Sequence, residues 1–264
     1  VRFLRAACRL AFLVLTVGGG LLYLRATDGL LRVTRRLRGS RESTGPWRAR
    51  VLHAWARVVA CGLGMRMETR GEPPRPPFFL VSNHLSYTDI VLLAAQLPCV
   101  FVSKAEVGNW PIFGAVCRSV DTLFIDRENK RDIPRVTAAI EKILRDGRGV
   151  IIFPEGTSGR GDRVLRFKPS LLEPAARTGL PVSYASLHYE TPPGGPPARD
   201  AVCWFGGAGF LSHVLGIVQL PWFRGTVTFG ERPISGGDRK SLALRLHAAV
   251  EESFRPVAGG EEHG

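Results

Sequence analysis

The stretch FFLVSNHLSYTDIVLLAAQ, residues 78–96, constrains the fold of this chain more than any other. Its first apolar run, residues 78–81, is short and bounded by Pro77 and Asn83, which predicts a buried strand. A second apolar run, residues 90–97, carries good helix formers. Ser86-Tyr87-Thr88-Asp89 in front of it has the S-x-x-D form of a helix-capping signal. A polar loop therefore joins a strand end to a helix start, and it presents His84 and Asp89.

On one continuous helix these two residues would sit about 140° apart and would not meet. With His84 in the loop and Asp89 in the first helical turn, the carboxylate can fold back onto the imidazole. Such a pair is half of a nucleophilic triad, in which the carboxylate fixes the tautomer and orientation of a proton-accepting histidine. The G-x-S-x-G nucleophile pattern is absent. The missing hydroxyl is then a substrate's, and the chemistry is a transfer. The plainer alternative is that Asp89 caps the helix and His84 bonds to backbone.

Further blocks decide between these. Phe124-Ile125-Asp126-Arg127 lies downstream, followed by Phe153-Pro154-Glu155-Gly156-Thr157 and Phe167-Lys168. With Asn83-His84 and Asp89 in front, this order and spacing resembles the glycerolipid acyltransferase family, typified by 1-acylglycerol-3-phosphate (lysophosphatidic acid) acyltransferases. Residues of about 50–255 carry the likeness. Lys104-Ala105-Glu106 with Trp110-Pro111 and Gly114 resembles the family's K-x-E…P…G segment.

The resemblance implies roles. His84 is the general base that takes a proton from a glycerol-type hydroxyl as it attacks a thioester carbonyl, a task suited to an ordinary imidazole pKa near ~6.5. Asp89 orients the imidazole. Arg127 offers a fork of donors to an anionic headgroup. Glu155 either holds a substrate hydroxyl or locks its loop by accepting backbone N–H groups. Gly156 permits close backbone approach. Thr157, Lys104, Arg160 and Lys168 complete the substrate-binding set. The co-substrate is acyl-CoA or acyl carrier protein, the acceptor a lyso-lipid, and no cofactor or metal is expected.

Two departures from the family pattern stand out. The third block commonly reads F-P-E-G-T-R-S, whereas Ser158-Gly159 follows Thr157 here, with Arg160 and Arg163 just beyond. The fourth keeps only Pro181 in Pro181-Val182-Ser183-Tyr184-Ala185, and carries no assigned role. The weakened phosphate clamp leaves lyso-ornithine lipid, with an amino-acid head, as the alternative to lysophosphatidic acid. A His/Asp-dependent lipid hydrolase and a catalytically inert membrane-binding protein are the alternatives of other classes.

Charge is distributed unevenly. Residues 1–70 hold fourteen arginines against three acids, and the remaining chain 22 basic against 20 acidic residues. Such an arm suits an anionic surface. Residues 10–24 are uncharged and span about 22 Å as a helix, short of the ~30 Å hydrocarbon core. Extension back to Ala6, with Arg9 snorkelling, makes a marginal span. This apolar stretch favours a membrane over nucleic acid, for which no zinc-finger, RRM or KH pattern appears. Without an A-x-A site it reads as an uncleaved helix on the cytoplasmic face of the membrane.

The remaining elements alternate. Residues 38–50 read as a polar linker and residues 51–65 as an amphipathic helix, packed on the core or on lipid. Strands are expected at 99–103, 122–125, 149–153 and 226–229, and helices at 133–145 and 241–254. The segment from Trp204 to Phe210, with His213, reads as a Gly-rich loop leading into an apolar helix. Five cysteines without C-x-x-C spacing, Cys8, Cys61, Cys99, Cys117 and Cys203, read as reduced, buried thiols. The expected fold is an α/β mixed sheet flanked by helices. It divides into a membrane-associating arm, 1–70, and a catalytic domain, 71–264, with its site at the strand ends.

Overall fold

The computed structural model describes residues 2–38, 45–110, 113–126, 132–207 and 209–259. In chain order the elements are α1 (Arg2–Arg38), α2 (Gly45–Leu63), β1 (Met65–Arg70), β2 (Phe79–Ser82), α3 (Thr88–Ala94), β3 (Cys99–Lys104), α4 (Phe113–Ser119), β4 (Leu123–Ile125) and α5 (Asp132–Arg145). They continue as β5 (Gly149–Ile152), α6 (Glu173–Thr178), β6 (Val182–Glu190), α7 (Ala198–Ala201), α8 (Phe210–Gln219), β7 (Phe223–Phe229) and α9 (Arg239–Ser253).

One seven-stranded sheet runs β1-β7-β6-β2-β5-β3-β4. From β6 to β4 every pairing is parallel. β7 is antiparallel to β6, and β1 is parallel to β7. The fold is thus a mixed α/β sheet with helices on both faces.

Strand alternation sorts the core. Phe79 and Val81 of β2 and Val150 and Ile152 of β5 join one apolar cluster with Val136 and Ile140 of α5 and Leu242 and Leu246 of α9. Leu80 and Ile151 point to the other face, where they meet Leu52 and Ala56 of α2, Leu92 and Leu93 of α3 and Ile217 of α8. Each fully buried Leu, Ile or Val contributes about 1.5–3 kcal/mol. Strands buried on both faces read as near-continuous apolar runs, and FLVS and GVII are apolar or small at every position.

Several expectations change at the N-terminal end. α1 does not stop at the basic flank near Arg25; it runs unbroken for 37 residues. That is about 55 Å at 1.5 Å per residue. Within it Arg2–Leu31 is long and apolar enough to cross a membrane, with mean hydropathy 1.8 over its best window. Arg9 does not snorkel: it donates to the carbonyls of Val218, Leu220 and Pro221, at 3.3, 2.7 and 3.0 Å. Arg5 donates to Gln219 O at 2.6 Å. These cations occupy the negative end of α8, where the last carbonyls lack intrahelical partners.

Of the expected linker, residues 39–44 lie outside the described residues, and Gly45 already opens α2. Pro46 suits the first helical turn because no N–H is needed there. Met65–Arg70, included with the arm in the sequence reading, is strand β1 of the sheet. Cys99, Cys117 and Cys203 are buried, but Cys8 and Cys61 are exposed, because the faces of α1 and α2 that carry them point outward.

The arm is fastened to the body by ion pairs. Arg48 of α2 bridges Asp28 of α1 and Asp121 beside β4, and Arg148 joins the same Asp121 at 3.3 Å and Asp146 at 3.4 Å. Trp55 Nε1 donates to Thr16 O at 3.1 Å, and Gly20 leaves room for that indole.

Candidate active site

The site forms where β2 leaves the sheet. β2 pairs with β6 as far as Ser82 and Ala185. Beyond that point the Asn83 side chain takes the place of the strand. Its Oδ1 accepts the Leu187 N–H at 2.7 Å, and its Nδ2 donates to the Leu187 carbonyl at 3.2 Å. The buried groups of β6 stay paired while the main chain turns away into the His84 loop.

That loop brings His84 and Asp89 together. His84 Nδ1 lies 2.8 Å from Asp89 Oδ2. The same oxygen accepts the backbone N–H groups of Leu85 and Ser86 at 2.7 and 3.0 Å, and Oδ1 accepts the Tyr189 hydroxyl at 2.7 Å. Asp89 is fully buried and the His84 side chain keeps 20% of its exposure. A carboxylate facing Nδ1 holds the proton there and leaves Nε2 as the proton acceptor. The S-x-x-D signal is thereby recast. Tyr87 stands at the cap position without a side-chain bond to the helix N–H groups, and Asp89 reaches back to the Ser86 N–H, half of a capping box.

The F-P-E-G-T turn packs against the ring. Phe153 stacks on His84 with centroids 4.1 Å apart and planes 17° from parallel. Glu155 is 3% exposed. It accepts the backbone N–H groups of Leu165 and His84, yet Oε1 has no partner among the described residues. Burial, aided by the Asp89 charge, pushes its carboxyl up to about 9, against the pull of those two N–H donors. At neutral pH Glu155 is a neutral acid beside the histidine. Of the two roles open to it in the sequence, the backbone contacts are those of the loop lock, and Oε1 is enclosed by the protein.

The other predicted residues that the structure describes lie on the turn after Phe153, at Phe167-Lys168 and at the end of β3. Gly156 is buried with φ +75, a conformation that favours glycine, and donates to Phe153 O at 3.1 Å. Thr157, Arg160 and Lys168 are exposed, and the Lys168 N–H bonds Pro154 O at 2.8 Å, closing the loop between the third block and Phe167-Lys168. Arg160 lies over the Phe205 ring at 5.5 Å. Lys104 ends β3, exposed, at the same edge of the sheet. Arg127 lies outside the described residues; the chain reaches it from the end of β4. Among the described residues no group of three or more His, Cys, Asp or Glu is placed to hold a metal ion.

Ser158 has a structural task. Its hydroxyl donates to Trp204 O, the next N–H, of Gly159, donates to His84 O at 2.8 Å, and Trp204 N donates to Leu85 O at 2.8 Å. The Gly-rich segment before α8 is thus stitched to the His84 loop. His213 of α8 extends the seam: its ring bonds Cys203 O at 3.1 Å through Nε2 and the Tyr87 hydroxyl at 2.9 Å through Nδ1. The carbonyl can only accept, so Nε2 carries the proton and Tyr87 donates to Nδ1. The sequence reads this segment as a Gly-rich loop leading into an apolar helix, and shows neither the seam nor Tyr189.

Comparison with known proteins agrees with this geometry. Residues 66–186 match the family model described as Acyltransferase. The lyso-ornithine lipid O-acyltransferase of Pseudomonas aeruginosa is 34% identical over 208 residues, 78% of each chain. The chain belongs to the glycerolipid acyltransferase family.

Other members of the family bracket it. The lyso-ornithine lipid O-acyltransferase of Rhizobium meliloti is 37% identical over 67% of this chain, which spans 64% of that protein's length. The 1-acyl-sn-glycerol-3-phosphate acyltransferase of Neisseria meningitidis is 33% identical over 98% of this chain and 94% of that one. The crystal structure of the 1-acyl-sn-glycerophosphate (LPA) acyltransferase PlsC from Thermotoga maritima shares the fold, with TM-score 0.62 at 20% identity, over 96% of this chain and 98% of that one.

Proposed function

We propose that this chain transfers an acyl group from an acyl thioester, carried on CoA or acyl carrier protein, to the free hydroxyl of a lyso-lipid. The observation that carries the reading is the His84–Asp89 pair, with Nδ1 at 2.8 Å from the carboxylate and the ring partly exposed. Nε2 takes the proton of the acceptor hydroxyl as its oxygen attacks the thioester carbonyl. The tetrahedral intermediate collapses, the C–S bond breaks, and the imidazolium returns the proton to the departing thiolate. Asp89 stabilises the imidazolium between these steps. The exposed apolar side chains of α1, Phe3, Val14, Leu15 and Leu22 among them, hold the enzyme on the membrane that contains its acceptor, on the cytoplasmic side where such donors are made.

Two acceptors follow from the relatives' names. A 1-acylglycerol-3-phosphate acceptor calls on Arg127, aided by Arg160 and Lys168, to hold its phosphate. Lyso-ornithine lipid is favoured by Ser158, which stands where the common family pattern F-P-E-G-T-R-S has an arginine and whose hydroxyl is instead bonded to Trp204 O. We take lyso-ornithine lipid as the better fit. Incubation of the enzyme with acyl thioesters and a panel of lyso-lipids, with products identified by mass spectrometry, tests both. Thioester or lipid hydrolysis that needs no acceptor would instead reveal a hydrolase.

A further inference from the structure

Asp89 is anchored from outside its own loop. Three of its donors, His84 Nδ1 and the N–H groups of Leu85 and Ser86, converge on Oδ2 and come from consecutive residues. They fix one oxygen and leave the carboxylate free to turn about its terminal torsion, which is intrinsically broad. The fourth donor is the Tyr189 hydroxyl, 2.7 Å from Oδ1 and 100 residues further along the chain. Two oxygens held from two elements define the plane of the group.

The tyrosine is itself held. Thr88 Oγ1 donates to its oxygen at 3.0 Å, so the phenolic hydrogen is directed at Asp89. Burial first, and the Asp89 charge next, push the phenol well above its usual range, so it remains a donor at working pH. Its ring fills a slot cut by a glycine: Tyr189 pairs with Gly225 of β7, where an added Cβ would stand 3.0 Å from Tyr189 Cε1 and 2.8 Å from Leu92.

We propose that Tyr189 is a positioning residue of the acyl-transfer centre, whose hydroxyl sets the plane of the Asp89 carboxylate and through it the aim of His84 Nε2. This rests on His84 acting as the general base. The hydroxyl touches neither substrate; it acts through Asp89 alone.

Tyr189→Phe keeps the ring and removes the donor. Loss of a charge-assisted bond of this kind should lower kcat by about tenfold or more. KM for donor and acceptor should stay within about twofold, because no substrate contact is lost. In an Asp89→Asn background the same substitution should change kcat by less than about twofold, since the carboxylate it serves is gone. A merely structural role would give equal losses in both backgrounds, and that result overturns the proposal. So does wild-type kcat in Tyr189→Phe, or an effect confined to KM. If Tyr189→Phe does not fold, Thr88→Val tests the same chain of bonds: it should lower kcat with KM unchanged, and a wild-type rate would overturn the proposal. His84→Ala, run alongside, separates the two failures. If His84→Ala is inactive while Tyr189→Phe is fully active, only the tyrosine assignment falls; an active His84→Ala removes the base assignment itself.

Discussion

The side-chain amide of Asn83 pairs with both backbone groups of Leu187, at 2.7 Å to the N–H and 3.2 Å to the carbonyl. A side chain thus continues a strand whose backbone has already departed. This arrangement lets the histidine loop leave the sheet without orphaning β6. Asn83→Ala would leave a buried N–H and carbonyl unmatched, at a cost of about 1–3 kcal/mol each. A lowered Tm accompanied by lowered kcat is the expected outcome. Asn83→Asp should be comparably damaging, because the acceptor survives but the carbonyl then faces a carboxylate. Thermal melts and initial rates on the two variants check this.

His84→Ala should reduce kcat by roughly 10²-fold or more in a folded protein, the usual worth of a positioned base. Asp89→Asn should also cost activity, because an amide can present a donor to Nδ1 and favour the wrong tautomer. Circular dichroism of both variants, beside their rates, separates lost chemistry from lost fold. Near-native turnover by folded His84→Ala would sink the mechanism.

Much of this architecture can be read from the sequence, and the parts that cannot have physical reasons. FLVS and GVII declare themselves because both faces of those strands are buried and every position is apolar or small. β1 does not, because Met-Arg-Met-Glu-Thr-Arg is an edge strand with an exposed face and too few apolar residues to show a period. The start of β7 is hidden by Gly225, a residue that reads as a breaker yet makes room for Tyr189. His84 and Asp89 are neighbours in sequence, so their partnership is legible; Tyr189 reaches the same carboxylate from 100 residues away, through strand pairing that no local pattern encodes. Asp89 resembles a cap because a carboxylate that turns back to N–H groups serves a helix start and a histidine alike.

Glu155 sets a dependence of stability on pH. Its folded carboxyl is raised to about 9, whereas the unfolded value is about 4.3. The folded chain therefore holds a proton that the unfolded chain has released between these limits. Its contribution is fully present below about pH 4.3, falls as pH rises, and is lost above about 9, with a slope of at most about 1.4 kcal/mol per pH unit. Glu155→Gln should flatten the decline in Tm between about pH 5 and 9 relative to wild type. Parallel curves for the two proteins would show that the carboxyl is ionised in the folded state.

The outward side chains of α1 provide a test of membrane attachment that leaves the core intact. Leu15 and Leu22 are exposed, and charges placed there disturb no packed neighbour. Leu15→Asp/Leu22→Asp should weaken co-sedimentation with anionic liposomes, while turnover of soluble, short-chain acceptors is retained. Raising salt should weaken what binding remains, through the arginine component. Unchanged sedimentation would refute attachment through this helix.

On the proposed function, acceptor choice turns on Ser158. Its hydroxyl is bonded to Trp204 O, and Gly159 beside it donates to His84 O, so the position is part of the seam that shapes the site. An arginine here would add a charged donor fork beside Glu155 and Thr157, where a phosphate dianion of the acceptor could meet it. A charge-assisted bond contributes roughly 1.5–3 kcal/mol, so the gain in affinity for a phosphate head should be about tenfold or more. Ser158→Arg is therefore expected to raise kcat/KM for 1-acylglycerol-3-phosphate relative to lyso-ornithine lipid. The substitution also removes the bond to Trp204, and Ser158→Ala measures that loss alone: it should lower both activities together and leave their ratio unchanged. Competition assays with the two acceptors in one vesicle report the ratio directly. If wild type already prefers 1-acylglycerol-3-phosphate, or if Ser158→Arg leaves the ratio where Ser158→Ala does, the serine does not select the headgroup.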